Sequence, residues 1–504
     1  MLHRRAAIRG APRRPRRPGV ARRGLAALSA ALALLPAAQA ADVFTPDFRV
    51  HPDDINVLMA VDARRSGDLA PFQPGGHGKF FLQAWSRADQ SAAWTVTVPA
   101  ADDYAVRVLV SEQQNRPLRA EVSSGPVRVA GRIPPSPWPW NRVDLEGTLR
   151  LAAGAQEIAL RLAPAEGAGP FLARVMSVEL VRPAVRDRLH AAALRARADT
   201  RWFRAARYGF MVHWTSQSMP RRGDAKPYEQ AVRDFDVGAL ADQVKDGGAG
   251  FLVFTASHAF QYFPAPLQSL DAILPGRTSR RDLVADLADA LGKRGIRLFL
   301  YYHLGAVPDH AWLQACGFWE TDTSRLFGNW EKIIREAGER YRDKLAGWWF
   351  DDGTTSYYYR RAPWERLLAA ARAGNPARLV AFNAWELPPA TEFQDYHCGE
   401  GDGDATGRGM LAAGGDGRYA GGPYRGLQAA ATLVTEQDWV HGGKDLEIGR
   451  PPWSAPQLAD LLKRFAERRN VPIFNLEIYQ EGFVSPQTID LFKQARAQAG
   501  WTSD

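Results

Sequence analysis

Two adjacent carboxylates end an apolar stretch in the segment LAGWWFDDGTT, residues 345–355. Because side chains alternate across a strand, Trp349 and Asp351 share one face and Asp352 lies on the other. An ionised carboxylate beside aromatic rings suits attack on the anomeric carbon of a sugar. In a retaining glycosidase, a second carboxyl group about 5–5.5 Å away protonates the leaving oxygen. We therefore predict that Asp351 reacts and that Asp352 supports it from the outer face.

The elements that must position these acids follow a repeated pattern over residues 206–500. Apolar runs alternate with amphipathic helical patterns, as in 280–295, 454–469 and 485–498, and this alternation is typical of a parallel sheet. Eight candidate strands over this length predict a (β/α)8 TIM-like barrel rather than an open sheet. The predicted strands are 208–214, 250–256, 296–304, 346–352, 378–385, 392–398, 431–438 and 471–478.

Polar and aromatic side chains gather at the carboxyl ends of these strands, where a barrel of this kind carries its active site. Each residue alone has a structural explanation, as a core histidine or as a carboxylate that caps a helix. The grouping at one end predicts a sugar-binding active site, with Glu386 and Glu436 as alternative acids to Glu400. The candidates are His213, Trp214, His258, Tyr301, His303, Trp349, Asp351, Glu386, Glu400, Glu436 and Trp439.

The same residues carry a resemblance to the α-L-fucosidases of glycoside hydrolase family 29, over roughly residues 200–500. The similar segments occur in the family's order: ARYGFMVHW, GGAGFLVFTASHAF, RRDLVADLADALGKRGIRLFLYYHLG, LAGWWFDDG and EFQDYHCGEG. The resemblance implies that Asp351 is the nucleophile and that Glu400 is the acid/base. It also implies that four side chains hold the sugar ring, namely His213, His258, Tyr301 and Trp349.

The sequence also departs from the family pattern. A single histidine, His258, is followed by Ala259 where the family has paired histidines, and FNAWELPP lacks the family's arginine. The two carboxylates persist, so we expect hydrolysis of α-L-fucosides or of a related sugar. A glycosidase of different sugar specificity and a catalytically inactive carbohydrate-binding protein are the alternatives. A metal-dependent hydrolase using His213, His258 and His303 is disfavoured by the lack of a His-x-His pair, and we expect neither metal nor cofactor.

In residues 42–183 apolar and polar residues alternate in short runs, with a period of two, and Gly, Pro and Asp separate the runs. This pattern predicts an N-terminal antiparallel β-sandwich, either carbohydrate-binding or purely structural. Residues 184–205 predict a helical linker between the sandwich and the barrel. The segment PSPWPWN presents Trp138 and Trp140 on a proline-rich loop. These rings either stack on sugars or pack against the next domain.

Residues 1–40 predict a signal peptide, with a basic start, an apolar run and AQA before Ala41. We therefore expect a periplasmic or secreted protein, exported by the Sec or, given Arg22-Arg23, the twin-arginine route. Nine arginines in this segment account for the whole charge of +9, so neither nucleic acid nor a membrane surface is an expected partner. The two cysteines, Cys316 and Cys398, leave a disulfide and separate buried thiols equally open. The oligomeric state is not predictable.

Overall fold

The structure is a computed structural model. It describes residues 46–72, 81–136, 138, 140–167, 169–304, 308–351, 361–384, 388–399, 415–422 and 424–501. The predicted signal peptide lies outside the described residues.

The first part of the chain forms two antiparallel sheets, as its period-two patterns predict. One sheet has the order β10-β6-β12-β4-β3, with β1 also paired to β12 and β9 to β6, and the other has the order β2-β5-β11-β7-β8. The strands are β1 (Asn56–Met59), β2 (Arg64–Ser66), β3 (Ala70–Phe72), β4 (Phe81–Trp85), β5 (Ser91–Val98), β6 (Asp102–Glu112), β7 (Leu118–Ser124), β8 (Val127–Ile133), β9 (Asn141–Asp144), β10 (Leu149–Leu151), β11 (Gly154–Pro164) and β12 (Ala173–Val181).

The two antiparallel sheets share one apolar core. Val106, Val108 and Val110 of β6 are buried in it, as their spacing predicts, and Trp94 of β5 and Ile158 of β11 enter from the other sheet. This common core stabilises both sheets, because each has one face of alternating apolar side chains to remove from water.

The second part of the chain forms one parallel sheet of seven strands, in the order β17-β16-β15-β14-β13-β19-β18. This order places the first predicted strand beside the eighth, as a curled sheet requires. The strands are β13 (Gly209–Val212), β14 (Phe251–Ser257), β15 (Arg297–His303), β16 (Leu345–Asp351), β17 (Leu379–Phe382), β18 (Ala430–Val434) and β19 (Val471–Leu476).

The predicted sixth strand, 392–398, is not a regular strand, but it lies between the two edge strands of the parallel sheet. The amide of Asp395 donates to the carbonyl of Val380, and the amide of Gln428 donates to the carbonyl of Asp395. Further along, the amide of Thr432 donates to the carbonyl of Gly399. Backbone hydrogen bonds therefore link this segment to residues of β17 and to residues in and just before β18.

Helices accompany most of the parallel strands. The predictions for 280–295, 454–469 and 485–498 are confirmed within a few residues, and Ser454 and Gln457 form the capping box that starts one of these helices. The helices are Pro183–Ala196, Arg201–Ala205, Tyr228–Asp234, Val237–Gly247, Gln268–Ile273, Leu283–Gly292, His310–Ala315, Ser324–Tyr341, Trp364–Ala371, Ala455–Glu467 and Pro486–Gln498. In the part of the chain that the structure describes, none of these helices is long and apolar enough to cross a membrane.

The segment after strand six differs from the barrel pattern. Among the described residues between Gly399 and β18, no helix occurs. Trp138 from the antiparallel region packs there instead, against Tyr419 and Tyr424. The exposure predicted for Trp138 and Trp140 is therefore wrong, since both are buried, and packing against the following part of the chain is the correct alternative.

Cys316 and Cys398 are both buried, and no disulfide joins them. Asn329 donates to the Cys316 sulfur at 3.4 Å, and burial raises the pKa of that thiol to about 12. The alternative of two separate buried thiols is the one that the structure bears out.

Candidate active site

The carboxylate of Asp351 is anchored at the carboxyl end of β16. The Tyr301 hydroxyl donates to Oδ2 at 2.5 Å, and Nδ2 of Asn383 donates to Oδ1 at 2.9 Å. Asp351 is only 9% exposed. Because a buried carboxylate needs hydrogen-bond donors, these two contacts fix the side chain in one orientation and stabilise its charged form.

Aromatic rings surround this carboxylate on the inner face of the parallel sheet. Trp349 stacks on Tyr301 with ring centroids 5.0 Å apart. His213 of the segment after β13 meets Tyr301 edge-on at 4.7 Å and Trp439 at 5.4 Å. The strand alternation predicted for Trp349 and Asp351 is thus confirmed, and side chains from several strand ends converge.

His213 is held in one tautomer by the last strand of the sheet. Nδ2 of Asn475 donates to the Trp439 carbonyl at 3.1 Å, so Oδ1 of Asn475 accepts from Nδ1 of His213 at 2.7 Å. Burial lowers the pKa of His213 to about 3, and the neighbouring His258 lowers it as well. The imidazole is therefore neutral at ordinary pH, and its Nε2 lone pair is an acceptor for a hydroxyl group.

His258 and His303 complete this ring of side chains. The His258 ring lies 5.4 Å from His213 and 5.5 Å from His303. The backbone after His258 turns sharply, with Ala259 at φ +61°. Nε2 of Gln261 then donates to the His303 carbonyl at 2.7 Å, which joins the ends of β14 and β15.

Residues of β19 and of the segment after it position the loop that follows β18, and none of them is among the residues predicted from the sequence. Beyond its bond to His213, Asn475 holds the Trp439 carbonyl. Oε1 of Glu477 accepts the amides of Gln437 and Asp438, each at 3.1 Å, and its Oε2 pairs with Nδ1 of His441 at 3.2 Å. The available signal was the alternation of Asn475 and Glu477 with apolar residues in VPIFNLEI.

Trp214 is not part of this group, and its prediction as a substrate-binding residue is wrong. It follows His213 directly, so its side chain lies on the opposite face. The indole packs against Phe235 and Phe254, and its Nε1 donates to the Gln480 carbonyl at 3.0 Å. Trp214 is a core residue between the sheet and its helices.

Glu436 contacts the last helix and the segment after β19. Thr488 of the last helix donates to Oε1 at 2.7 Å, and the amide of Glu477 donates to Oε2 at 3.0 Å. Burial raises the pKa of Glu436 to about 7. Such a pKa would suit a general acid, and both carboxyl oxygens accept hydrogen bonds from the helix side. The role of Glu436 as an alternative acid/base stays a prediction.

Three predicted or alternative residues lie outside the described residues: Asp352, Glu386 and Glu400. Their roles stay predictions. The structure thus brings together Asp351, Tyr301, His213, His258, His303, Trp349 and Trp439. Among the described residues, no group of three or more His, Cys, Asp or Glu side chains is arranged to hold a metal ion.

A carboxylate at the end of a parallel strand, surrounded by histidines and aromatic side chains, suits a glycoside hydrolase, and comparison with known proteins points to the same class of enzyme. The family model described as alpha-L-fucosidase matches residues 228–408. This range contains Asp351 and Glu400, together with His258, Tyr301 and Trp349. The predicted resemblance to the α-L-fucosidases, a family of glycoside hydrolases, is confirmed.

The human tissue alpha-L-fucosidase is a curated relative, 28% identical over 166 residues, which cover 27% of this chain and 35% of the human protein. The chain therefore spans about a third of the length of this relative. Among solved structures, the alpha-L-fucosidase AlfC from Lactobacillus casei is 15% identical, with a TM-score of 0.41 over 59% of this chain and 97% of that protein. The endo-fucoidan hydrolase MfFcnA4 is 14% identical, with a TM-score of 0.45 over 61% of this chain and 53% of that one.

Proposed function

We propose that this protein is an exported retaining exo-glycosidase that hydrolyses α-L-fucosides, or a related sugar, by double displacement. Asp351 attacks the anomeric carbon and forms a glycosyl ester, while Glu400 protonates the leaving oxygen. Glu400 then removes a proton from water, which attacks the same carbon and releases the sugar with its original configuration. The observation that carries the proposal is the Asp351 carboxylate, held by Tyr301 and Asn383 within a ring of histidine and aromatic side chains.

The site needs a closed barrel, and the backbone contacts of residues 393–399 support one. We propose that this segment is the sixth strand of a (β/α)8 barrel and that the two antiparallel sheets form a β-sandwich before it. Tyr396 and Cys398 share an apolar cluster with Tyr301 and Trp349. Glu400 follows two residues after Cys398 in the sequence and lies outside the described residues, so its place at the site is part of the proposal.

The groups around Asp351 suit a sugar ring. His213 offers the Nε2 lone pair to a hydroxyl group. The Nε1 donor of Trp349 is buried and has no acceptor among the described residues, so a substrate oxygen would satisfy it. The rings of Tyr301 and Trp439 provide apolar surface for the C–H groups of a sugar. We propose His213, His258, Tyr301, His303, Trp349 and Trp439 as substrate-binding residues.

Export is part of the proposal because residues 1–40 have the features of a signal peptide. We expect the mature protein in the periplasmic or secreted fraction to begin at Ala41. Mass spectrometry of the N-terminal peptide from that fraction measures this. A product that begins at Met1 would contradict export.

A panel of aryl glycosides tests the proposed reaction. We expect hydrolysis of the aryl α-L-fucoside with retained configuration, and we expect Asp351→Ala to lower kcat by about 10⁴-fold or more, because the covalent step is lost. Azide should rescue Asp351→Gly and yield a fucosyl azide of inverted configuration. Asp187→Asn removes an exposed carboxylate from the linker helix and should leave the rate unchanged.

Two results would contradict the proposal. An Asp351→Ala variant that keeps the wild-type rate would remove the mechanism. If the wild-type protein binds fucose but hydrolyses no glycoside of the panel, it is a carbohydrate-binding protein. If it hydrolyses only a glycoside other than the fucoside, it is a glycosidase of different sugar specificity.

A further inference from the structure

Two histidines of the candidate site, His258 and His303, are held by a support that is itself buried. Both residues are half-buried, and their ring centroids lie 5.5 Å apart. His303 is the register partner of Asp351 in the pairing of β15 with β16. The two histidines therefore lie next to the strand end that carries the carboxylate.

Gln261 joins the segments that carry these two histidines. It lies three residues after His258, and its side chain is fully buried. Its Nε2 donates to the His303 carbonyl at 2.7 Å, and its Oε1 accepts from the Tyr302 hydroxyl at 2.8 Å. Both polar atoms of the side chain are thus bonded to β15, and burial keeps the side chain from contacting a substrate.

The backbone of Gln261 is held as well as its side chain. Its amide donates to Oδ2 of Asp309 at 2.9 Å. Asp309 is buried, and Arg277 donates to both of its carboxylate oxygens, at 3.0 and 3.1 Å. Because a bidentate arginine–carboxylate pair fixes the geometry of its partners, Asp309 is a rigid anchor for the loop after β14.

The turn between His258 and Gln261 needs such an anchor. Ala259 has φ +61°, in the left-handed region that residues with a Cβ atom rarely adopt. The amide of Phe260 donates to the His258 carbonyl at 2.7 Å, which closes the turn. A strained turn persists only where the surrounding structure enforces it. Losing the contacts of Gln261 would therefore let the turn relax and move His258.

We propose that Gln261 is a positioning residue for His258 and His303, so that selection among the sugar's hydroxyl groups depends on a side chain that does not touch the sugar. The proposal rests on the proposed function. A hydrogen bond weakens steeply as its geometry departs from the optimum, and binding groups must be held within about 0.5 Å of their productive positions. The bonds from Gln261 to the His303 carbonyl and to Asp309 provide that restraint.

Deoxy sugars separate this positioning role from a purely structural one. The measurement is kcat/KM for an aryl α-L-fucoside divided by kcat/KM for its 2-, 3- and 4-deoxy analogues. His258→Ala and His303→Ala identify the hydroxyl groups that the two rings bind, because the ratios for those analogues fall below the wild-type values. We expect Gln261→Met, which removes both hydrogen bonds and keeps a side chain of similar length, to lower the same ratios. The expected fall is about three- to tenfold, the worth of a neutral hydrogen bond.

Two further variants keep the test decisive. If Gln261→Met does not fold, Tyr302→Phe removes only the hydroxyl that donates to Gln261, and we expect a smaller fall in the same ratios. Gln90→Met is the matched control, since this buried glutamine likewise hydrogen-bonds to backbone groups, within the antiparallel region. It should leave every ratio unchanged.

Unchanged ratios in Gln261→Met and in Tyr302→Phe would overturn the inference, even if kcat/KM falls equally for every substrate, provided that a histidine variant changes at least one ratio. If neither histidine variant changes any ratio, the inference fails together with the assignment of these rings to the sugar. If wild-type protein hydrolyses none of the fucosides, the proposed function itself fails, so the outcomes are distinguishable.

Discussion

The Asp351 carboxylate receives one hydrogen bond on each oxygen, and the two donors come from the neighbouring strand β15 and the end of β17. Tyr301 is fully buried and its ring stacks on Trp349. The Tyr301 hydroxyl therefore has a fixed position relative to the nucleophile, and removing it tests how the ionised carboxylate is stabilised.

We expect Tyr301→Phe to lower kcat/KM by roughly 10–100-fold and to move the acidic limb of the pH–rate profile to higher pH. The reason is that a hydroxyl that donates to a carboxylate favours its ionised form, with each pH unit corresponding to about 1.4 kcal/mol. The measurement is kcat/KM for the aryl fucoside from pH 4 to 8, in roughly half-unit steps. If the acidic limb does not shift, the Tyr301 hydroxyl does not stabilise the ionised form of the Asp351 carboxylate, and the prediction is contradicted.

At the scale of elements, Glu436 joins the end of β18 to the last helix through Thr488 and to the segment after β19 through the Glu477 amide. Burial raises the pKa of Glu436 to about 7, above the ordinary value of 4.5. The folded state therefore binds the proton more tightly than the unfolded state does. It follows that the stability of the folded protein falls as pH rises from about 4.5 to about 7.

We expect Glu436→Gln to remove this pH dependence, because the amide carries no charge, its oxygen accepts from the Glu477 amide and its NH2 group donates to the Thr488 hydroxyl. The free energy of unfolding of the variant relative to wild type should be near zero below pH 4.5 and should rise by up to about 3 kcal/mol by pH 7. Urea denaturation at several pH values measures it. Glu166→Gln, at an exposed position, is the control. A difference that is constant with pH would contradict the prediction.

Helix and strand patterns could be predicted from the sequence where the signals are local. The helix Ala455–Glu467 carries its own capping residues, and the face of Leu283, Leu287 and Leu291 is a property of one short segment. The irregular pairing of residues 393–399 was not predictable, because it depends on hydrogen bonds to two edges formed elsewhere in the chain.

The candidate site was predicted to a similar degree. The alternation of side chains along β16 placed Asp351 and Trp349 on the same face, as the structure has them. The same alternation should have excluded Trp214, because it follows His213 directly and so lies on the other face. The partner of His213 could not be predicted, since Asn475 lies 262 residues away in sequence. The burial of Trp138 was missed for the same reason, because its tyrosine partners belong to the other part of the chain.

At the scale of the whole molecule, the antiparallel region and the parallel-sheet region share an apolar core. Met59, Phe81, Leu109, Trp140 and Met176 are buried in the same cluster as side chains of the parallel sheet and its helices. Removing the antiparallel region would therefore expose a large apolar surface to water, and the free-energy cost is about 25 cal/mol per Å² of that surface.

We expect a fragment of residues 183–504 to aggregate or to lose its fixed tertiary structure, whereas the chain from Ala41 onward stays monodisperse. Size-exclusion chromatography and near-UV circular dichroism compare the two proteins. A soluble fragment with the melting temperature and activity of the longer chain would show that the N-terminal region is a detachable module.

Covalent trapping tests the central claim most directly. A 2-deoxy-2-fluoro-α-L-fucosyl fluoride has a good leaving group and an electron-withdrawing substituent that slows hydrolysis of the glycosyl ester, so the intermediate accumulates. After proteolysis, mass spectrometry should find the fluorofucosyl group on Asp351, and reactivation should follow its loss. A label on another carboxylate, or full turnover of aryl fucosides by Asp351→Ala, would contradict the account.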